Sequence, residues 1–444
     1  MHIRFHQRFQ ALPPFVQKAG LSFGLRFGGL FIQFLISVLV SRLLGAERFG
    51  AFTYAFVWAT MLGTFLTFGL SRLAVREIPH FLSRQDRGHV LGYIAVTGGT
   101  ILAGGVLSGM FLLVLEQMRI LVLAPGWLAV AAVGLAHAAI LSLAGLLNGF
   151  QIIIWPQFIE SILRQAIYAA LIGGALWAGW MITPRNLFPL YLASAVPTLL
   201  MLVLLLRGAL RRQIPGSAPL TTDGALLWYK SAVPLLLSVF AGFFNSNLDI
   251  LMIGSMLGDL ETGLYRAAVR GALLVSIANM VSLQVLGPML SRALAEQNEA
   301  GAQRFLAWGA LVSFVAGISI ALLLALFSHP FLALFGSEFP AATDAMRLLL
   351  AGQAINVLVG GAGILLVLQR QEQRVLMTNL TGLALNAVLN FVLIRIWGIE
   401  GAAIATAITT AFVGLRLLSI VLGQKRFDPT LFSAWRLWRA RRSR

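Results

Sequence analysis

Long apolar stretches follow one another along almost the whole chain, with short polar segments between them. About 18 apolar residues in a row is the length that a helix needs to cross a bilayer. These stretches are also far longer than barrel strands, so the pattern predicts an all-α polytopic membrane protein. We place twelve transmembrane helices at roughly 20–43, 49–70, 90–115, 121–147, 156–180, 187–206, 230–257, 263–288, 305–328, 345–368, 376–396 and 400–422.

One spacing occurs twice, 213 residues apart, at junctions between apolar stretches. Residues 44–55 read LGAERFGAFTYA and residues 257–268 read LGDLETGLYRAA, which share the pattern L-G-x4-G-x-(Phe/Tyr)-x2-A. Such a repeat predicts two pseudo-twofold-related six-helix lobes with a site in a central cavity. The expected domains are an N-terminal lobe at 1–206, a cytoplasmic linker at 207–229, a C-terminal lobe at 230–423 and a basic cytoplasmic tail at 424–444.

The amino-acid composition excludes several kinds of catalytic and metal-binding site. Of 444 residues, 59% are hydrophobic, 11% are charged and none is cysteine. The lack of cysteine excludes disulfides, thiolate metal sites and cysteine nucleophiles. No intact P-loop and no HExxH motif occurs, and the loops are too short to fold as a catalytic domain. We therefore expect a protein that is not an enzyme, with no cofactor and no metal site.

The net charge of +17 arises from 33 basic and 16 acidic residues, and 30 of the basic residues are arginine. They are scattered between apolar stretches, which argues against a nucleic-acid-binding domain. Most lie in segments that share a side with the N-terminus, including the tail LFSAWRLWRARRSR at 431–444. The positive-inside rule then predicts a multi-pass protein of the inner (cytoplasmic) membrane with both termini cytoplasmic.

Charged residues within the apolar stretches are candidate site residues, because each costs several kcal/mol near the bilayer centre. Asp249 and Arg270 flank the turn at Gly258 at similar depths, which makes a contact between them plausible. A structural ion pair and a polar cavity wall with an ion-binding carboxylate both remain open. Asn386 and Asn390 share one face of the eleventh stretch and predict an interhelical hydrogen bond.

The first half holds a second set of candidates. Glu160 and Arg164 are four residues apart, so they can pair on one helix face. Arg26 has no acidic residue at helical spacing, which favours a position facing water or a ligand. His137 is alone among alanine, leucine and glycine and is interpreted as a satisfied core histidine. Arg416 lies near the cytoplasmic end of the last stretch and can snorkel.

Three segments, in register along essentially the whole chain, resemble the polysaccharide and oligosaccharide flippases. These belong to the superfamily of multidrug, oligosaccharidyl-lipid and polysaccharide exporters. The segments are VSRLLGAERFGAFTYAF at 40–56, NSNLDILMIGSMLGDLETGLYRAAVR at 245–270 and LNAVLNFVLIRIWGIEGAAIATAIT at 385–409. One departure is the turn NGFQIII after the fourth stretch, which lacks the basic residue expected in many relatives.

The resemblance implies two six-helix lobes around a cationic cavity. It also implies a substrate made of an oligosaccharide on an isoprenoid pyrophosphate carrier, moved from the inner to the outer leaflet by alternating access. Its matching segments contribute Asp249, Arg266 and Arg270 from the second hairpin, and Arg42, Glu47 and Arg48 from the first.

The candidate site residues, including those outside the matching segments, fall into two groups by expected role. Substrate binding is assigned to Arg26, Arg164, Arg266 and Arg270. Ion coupling, with H⁺ or Na⁺ as candidate ions, is assigned to Asp249 and Glu160. The expected partners are the lipid-linked oligosaccharide, the bilayer and candidate polysaccharide assembly proteins.

Three alternatives stay open at this point. A multidrug or organic-cation antiporter of the same superfamily would need exposed carboxylates, whereas arginines outnumber acids in these stretches. A membrane glycosyltransferase or polymerase would need acidic residues or arginines in a large extracytoplasmic loop, and these loops are short. A non-transporting scaffold of an envelope complex is the third.

Overall fold

The computed structural model describes residues 14–121, 123–216, 218–359, 361–431 and 433. Helices are the only regular secondary structure in that part of the chain. A π-helix, Ile159–Leu163, and a 3₁₀-helix, Phe339–Ala342, interrupt the α-helices. The α-helices are α1 Pro14–Leu66, α2 Leu70–Ser83, α3 Arg87–Gln117, α4 Trp127–Gly149, α5 Ile154–Phe158, α6 Arg164–Trp177, α7 Pro184–Gln213, α8 Ala225–Met256, α9 Asp259–Ala295, α10 Glu299–Leu326, α11 Ser328–Ala333, α12 Thr343–Val359, α13 Ala362–Leu368 and α14 Glu372–Gly423.

Eight helical segments of the described chain are long and apolar enough to cross a membrane, or nine if the bent pair α12–α13 forms one span. Two of these segments exceed one crossing, Gly20–Ser83 with 64 residues and Glu372–Gly423 with 52. A 52-residue helix measures about 78 Å, against about 30 Å of hydrocarbon core. Each is divided by a non-helical glycine, Gly45 with φ of 75° and Gly398 with φ of 56°. The all-α polytopic architecture is confirmed, while the count of twelve helices stays a prediction.

Several boundaries differ from those predicted. The fourth stretch becomes helical at Trp127 rather than at 121, because a turn with Pro125 and the positive-φ Gly126 precedes it. The tenth stretch is bent by 45° between α12 and α13. Helices α7 and α8 extend into the predicted linker at 207–229, and of its described residues only 214–216 and 218–224 are non-helical.

Most of the segment between the second and third predicted transmembrane helices, 71–89, forms the amphipathic helix α2. Its buried face consists of Leu70, Leu73, Ala74, Ile78 and Phe81. These positions recur with the spacing of a single helix face, and Arg72 and Arg76 are exposed on the other side. A charged face and an apolar face explain why this short helix packs on α3 and α4 with one side only.

Contacts between Cα atoms divide the chain into two compact units. The first comprises Met1–Leu44 and Ala51–Phe243, and the second comprises Gly45–Gly50 and Phe244–Arg444. In the first unit α4 packs on α2, α3 and α7, around a core that includes Tyr93 and Trp228. In the second unit α9 packs on α10 and α12, and α12 packs on α14. The division falls inside α8, because its N-terminal part packs in the first unit.

The repeated spacing has a structural reason in the second unit. The first glycine of each copy, Gly45 or Gly258, has a positive φ, of 75° or 104°, and turns the chain. The second glycines, Gly50 and Gly263, allow two backbones to touch. A Cβ atom on Gly50 would overlap the carbonyl of Asp259, and one on Gly263 would overlap the carbonyl of Ala46. The spacing L-G-x4-G therefore encodes a turn followed by a close backbone contact, and each copy of the repeat supplies one glycine to the contact with the other copy.

A carboxylate holds the first of these turns. The backbone N–H of Ala46 donates to Oε2 of Glu338 over 2.7 Å, and the rings of Phe49 and Phe339 pack edge to face at 5.9 Å. Burial raises the pKa of Asp259, and the negative charge of Glu47 raises it further. The turn is thus fixed by backbone contacts and by one charge-assisted hydrogen bond.

Candidate functional site

A polar cluster in the second unit surrounds the carboxylate of Asp249 on α8. Its Oδ2 atom accepts hydrogen bonds from the hydroxyl of Tyr265 at 2.7 Å and from the hydroxyl of Thr406 at 2.6 Å. Its Oδ1 atom accepts a hydrogen bond from the amide of Asn390 at 3.2 Å. Three donors from α9 and from both parts of α14 therefore converge on one carboxylate, which lies half-buried inside the protein.

The amide of Asn390 extends the cluster along α14. Its Nδ2 group also donates to the backbone carbonyl and to Oδ1 of Asn386, both at 3.0 Å. The predicted interhelical hydrogen bond is observed, with Asp249 as its partner. The Oδ1 atom of Asn390 is buried without a hydrogen-bond donor among the described residues. The cluster thus has a surplus of acceptor oxygens next to a carboxylate.

The expected contact between Asp249 and Arg270 was wrong. Tyr265, Thr406 and Asn390 hold the carboxylate instead. Tyr265 and Arg270 are five residues apart on α9, and five residues rotate a helix by about 500°, which leaves their side chains about 140° apart. A helix that turns the tyrosine toward the carboxylate therefore turns Arg270 away from it.

Arg266 and Arg270 lie one turn apart on α9 and are both half-buried. They are close enough for the charge of Arg266 to act on Arg270. Arg266 forms no ion pair or hydrogen bond with any residue that the structure describes. Two like charges at this spacing destabilise a helix unless an anion or water compensates them.

The predicted pair of Glu160 and Arg164 in the first unit does not form. Arg164 is 7% exposed, and its guanidinium donates to the hydroxyl of Tyr191. The segment between Glu160 and Arg164 is π-helical, so the register of an ordinary helix, on which the expected pairing depended, is not kept there. The sequence alone gave no sign of Tyr191, which lies on α7.

The remaining candidate residues, His137, Arg26 and Arg416, differ in their burial and in their partners. His137 is not a fully satisfied histidine, because its Nδ1 atom is buried without a partner in the described part of the chain. Arg26 is exposed on α1, and its position facing water or a ligand stays a prediction. Arg416 is also exposed and donates to the hydroxyl of Thr381 at 3.4 Å. The basic tail from 434 onward lies outside the described residues.

The same helical architecture occurs in solved transporter structures. The chain matches the lipid II flippase MurJ in its inward closed conformation with a TM-score of 0.70, at 16% identity over 94% of this chain and 89% of MurJ. It matches an inward-facing multidrug resistance MATE family transporter of the MOP superfamily with a TM-score of 0.67, at 13% identity over 92% of this chain and 93% of that one. The chain therefore has the fold seen in these two transporters.

The sequence gives the family. The model of the polysaccharide biosynthesis protein family matches residues 15–294, so the chain belongs to that family. A probable low-salt glycan biosynthesis flippase of Haloferax volcanii, Agl15, is 27% identical over 183 residues. That alignment covers 40% of this chain and 38% of Agl15. The resemblance found in three segments is therefore confirmed, and the relatives named here are flippases and transporters rather than enzymes.

Proposed function

We propose that the protein moves a polyprenyl-pyrophosphate-linked oligosaccharide from the inner to the outer leaflet of the cytoplasmic membrane by alternating access. The product would serve assembly of a cell-surface polysaccharide. The observation that carries the proposal is the pair of half-buried arginines, Arg266 and Arg270, one turn apart on α9. A pyrophosphate carries the negative charge that two neighbouring guanidinium groups bind through charge-assisted hydrogen bonds. Membership of the polysaccharide biosynthesis family supports a glycan substrate.

Exposed Arg26 on α1 is the third arginine that we assign to the substrate. It forms no hydrogen bond with the described residues, so its donors are available to a phosphate oxygen. Arg164, the fourth arginine predicted for this role, is only 7% exposed, so we leave it out of the substrate site. We propose that both termini are cytoplasmic, on the side where the carrier lipid would receive its sugars.

Coupling to an ion gradient is assigned to the cluster around Asp249. One carboxylate and neutral oxygens from Asn386, Asn390 and Thr406 suit a small monovalent cation or a proton. Among the described residues there is no group of three or more metal-ligating acidic, histidine or cysteine side chains, so a site with one negative charge fits Na⁺ or H⁺ better than a divalent ion. Ion binding can drive transport only if it differs between the two conformations.

A leaflet assay tests the substrate and the arginines together. The gene is deleted, and lipid-linked oligosaccharide on the periplasmic face of spheroplasts is quantified after complementation. We expect wild type to restore exposure and the double variant Arg266→Ala, Arg270→Ala to leave the substrate on the cytoplasmic side.

Arg292→Ala is the matched control, because Arg292 lies on the same helix but is exposed and paired with Glu296 at 2.7 Å. Normal exposure of a complete repeat unit in the deletion strain, with no redundant flippase, would refute the proposal. Loss of the lipid-linked oligosaccharide itself would point to the enzyme alternative.

A further inference from the structure

Arg164 is the most completely buried charged side chain of the described part of the first unit, with 7% of its surface exposed. It is the first residue of α6, directly after the π-helix Ile159–Leu163. Its guanidinium carbon lies 5.1 Å from the ring centroid of Tyr191, and the ring of Tyr191 packs edge to face on Tyr168 and Phe56. A π-helical turn inside a membrane span frequently marks a functional position.

The charge of Arg164 has no protein counter-ion in the described structure. None of the five ion pairs found among the described residues includes it, and Glu160, one turn earlier, does not pair with it. Aromatic faces attract a guanidinium, but they do not neutralise its charge. A buried, uncompensated charge costs several kcal/mol inside a bilayer, which calls for a negative partner.

Hydrogen-bond donors also outnumber acceptors around Arg164. Its Nε–H group is buried with no acceptor among the described residues. The hydroxyl of Tyr191 accepts from Arg164, and its own proton has no acceptor in the described chain. His137 lies within electrostatic range of Arg164, and its Nδ1 atom is buried without a partner. Tyr168, by contrast, already donates to the carbonyl of Leu187 at 3.4 Å.

We propose that the first unit binds a small monovalent anion of the halide class at Arg164. The anion accepts hydrogen bonds from Nε–H of Arg164 and from the hydroxyl of Tyr191, and it supplies the missing negative charge. A water molecule could satisfy one donor, but it would leave the charge uncompensated. Because 93% of the surface of Arg164 is covered, a halide ion can reach it more easily than a larger phosphate or lipid headgroup can. The site is separate from the cluster around Asp249 and does not depend on the proposed substrate.

Bromide titration of the purified full-length protein in detergent tests the site. The thermal midpoint is followed as gluconate is replaced by bromide, with sodium concentration and ionic strength held constant so that the cluster around Asp249 sees no change. We expect a saturable rise of the midpoint in wild type, because a ligand that binds only the folded state stabilises it. We expect no such rise in Arg164→Gln.

Two further variants complete the design. Arg72→Gln is the matched control, because it removes an exposed arginine of the same unit that has no assigned binding role, and it should keep the wild-type response. Tyr191→Phe keeps the cation but removes one donor, so we expect bromide binding about tenfold weaker. This variant also decides the matter if Arg164→Gln does not fold.

The possible outcomes are distinct. A midpoint that is equal in bromide and gluconate for wild type would overturn the proposal, and so would a wild-type bromide response in Arg164→Gln. An anomalous bromide peak beside the guanidinium of Arg164 in crystals would support it, and a peak only at other positions would overturn it. The assay contains no lipid-linked oligosaccharide, so failure of the flippase proposal would leave this result unchanged.

Discussion

At the scale of single residues, the hydroxyl of Thr406 is a sharp test of the polar cluster. It donates to Asp249 over 2.6 Å, and a hydrogen bond to a charged group contributes about 1.5–3 kcal/mol. We expect Thr406→Val, which preserves the shape of the side chain, to lower the free energy of unfolding in detergent by about that amount. The ion dependence of transport should weaken as well.

Thr378→Val provides the matched control on the same helix. Thr378 is 1% exposed, and its hydroxyl donates only to the backbone carbonyl of Arg374 at 2.8 Å. Its loss leaves no carboxylate without a donor, so it should cost less than about 1 kcal/mol. Equal losses in the two variants would show that Thr406 only fills space.

Two members of this cluster, Asp249 and Asn390, can be predicted from the sequence, whereas Tyr265 and Thr406 are harder to find. Asp249 and Asn390 stand out because an acid and an amide are rare in apolar stretches. Tyr265 was missed, although comparison of the two repeat copies contains a signal. At the 213-residue offset, Asp249 corresponds to Ile36 and Tyr265 to Phe52, so both partners are polar only in the second copy.

Thr406 gave no such signal. It lies in a segment rich in alanine and threonine, GAAIATAITT at 401–410, where hydroxyls usually bond to their own helix. Only the packing of α8 and α9 against α14 singles out this hydroxyl, and packing between distant helices is not encoded in local spacing.

At the scale of helices and turns, the second glycine of the repeat can be tested directly. A Cβ atom on Gly50 would overlap the carbonyl of Asp259, and backbone on both sides leaves little room to move. We expect Gly50→Ala to destabilise the protein by about 1–3 kcal/mol, as overpacking does, and to reduce export. The measurement is the thermal midpoint in detergent together with complementation of the deletion strain.

Gly24→Ala is the control, because a Cβ atom on Gly24 meets nothing within 4 Å. Alanine favours the helix at such a position, so its midpoint should stay equal or rise. A midpoint of Gly50→Ala that matches the control would mean that the two turns do not need their close contact.

Element prediction succeeded where apolar length was the deciding signal. The breaks at Gly45 and Gly398 fall between predicted spans, since a glycine with positive φ relieves a strain that other residues would carry. Helix α2 was missed because a search for long apolar runs passes over an amphipathic helix of 14 residues. The 45° bend between α12 and α13 was missed because both parts are apolar and no proline marks it.

At the scale of the whole molecule, the repeat in the sequence and the division in the structure agree only in part. The sequence suggests equal halves joined at 207–229, whereas contacts place Gly45–Gly50 in the second unit and Phe243 in the first. Contacts follow packing, and the turn with Gly50 packs on the start of α9. A sequence repeat therefore need not coincide with a packing unit. A turn from the first repeat can pack in the second unit, and a long helix can be divided between the two units.

The orientation of the chain in the membrane decides the direction of transport, and the absence of cysteine makes it easy to measure. Ser255 is exposed just before the turn at Gly258, and Ser83 is exposed at the end of α2. If the basic segments are cytoplasmic, a membrane-impermeant maleimide should label Ser255→Cys in spheroplasts and should label Ser83→Cys only after permeabilisation. The cysteine-free parent gives the background. The reverse pattern would invert the topology, and the side from which α9 presents Arg266 and Arg270 would have to be assigned again.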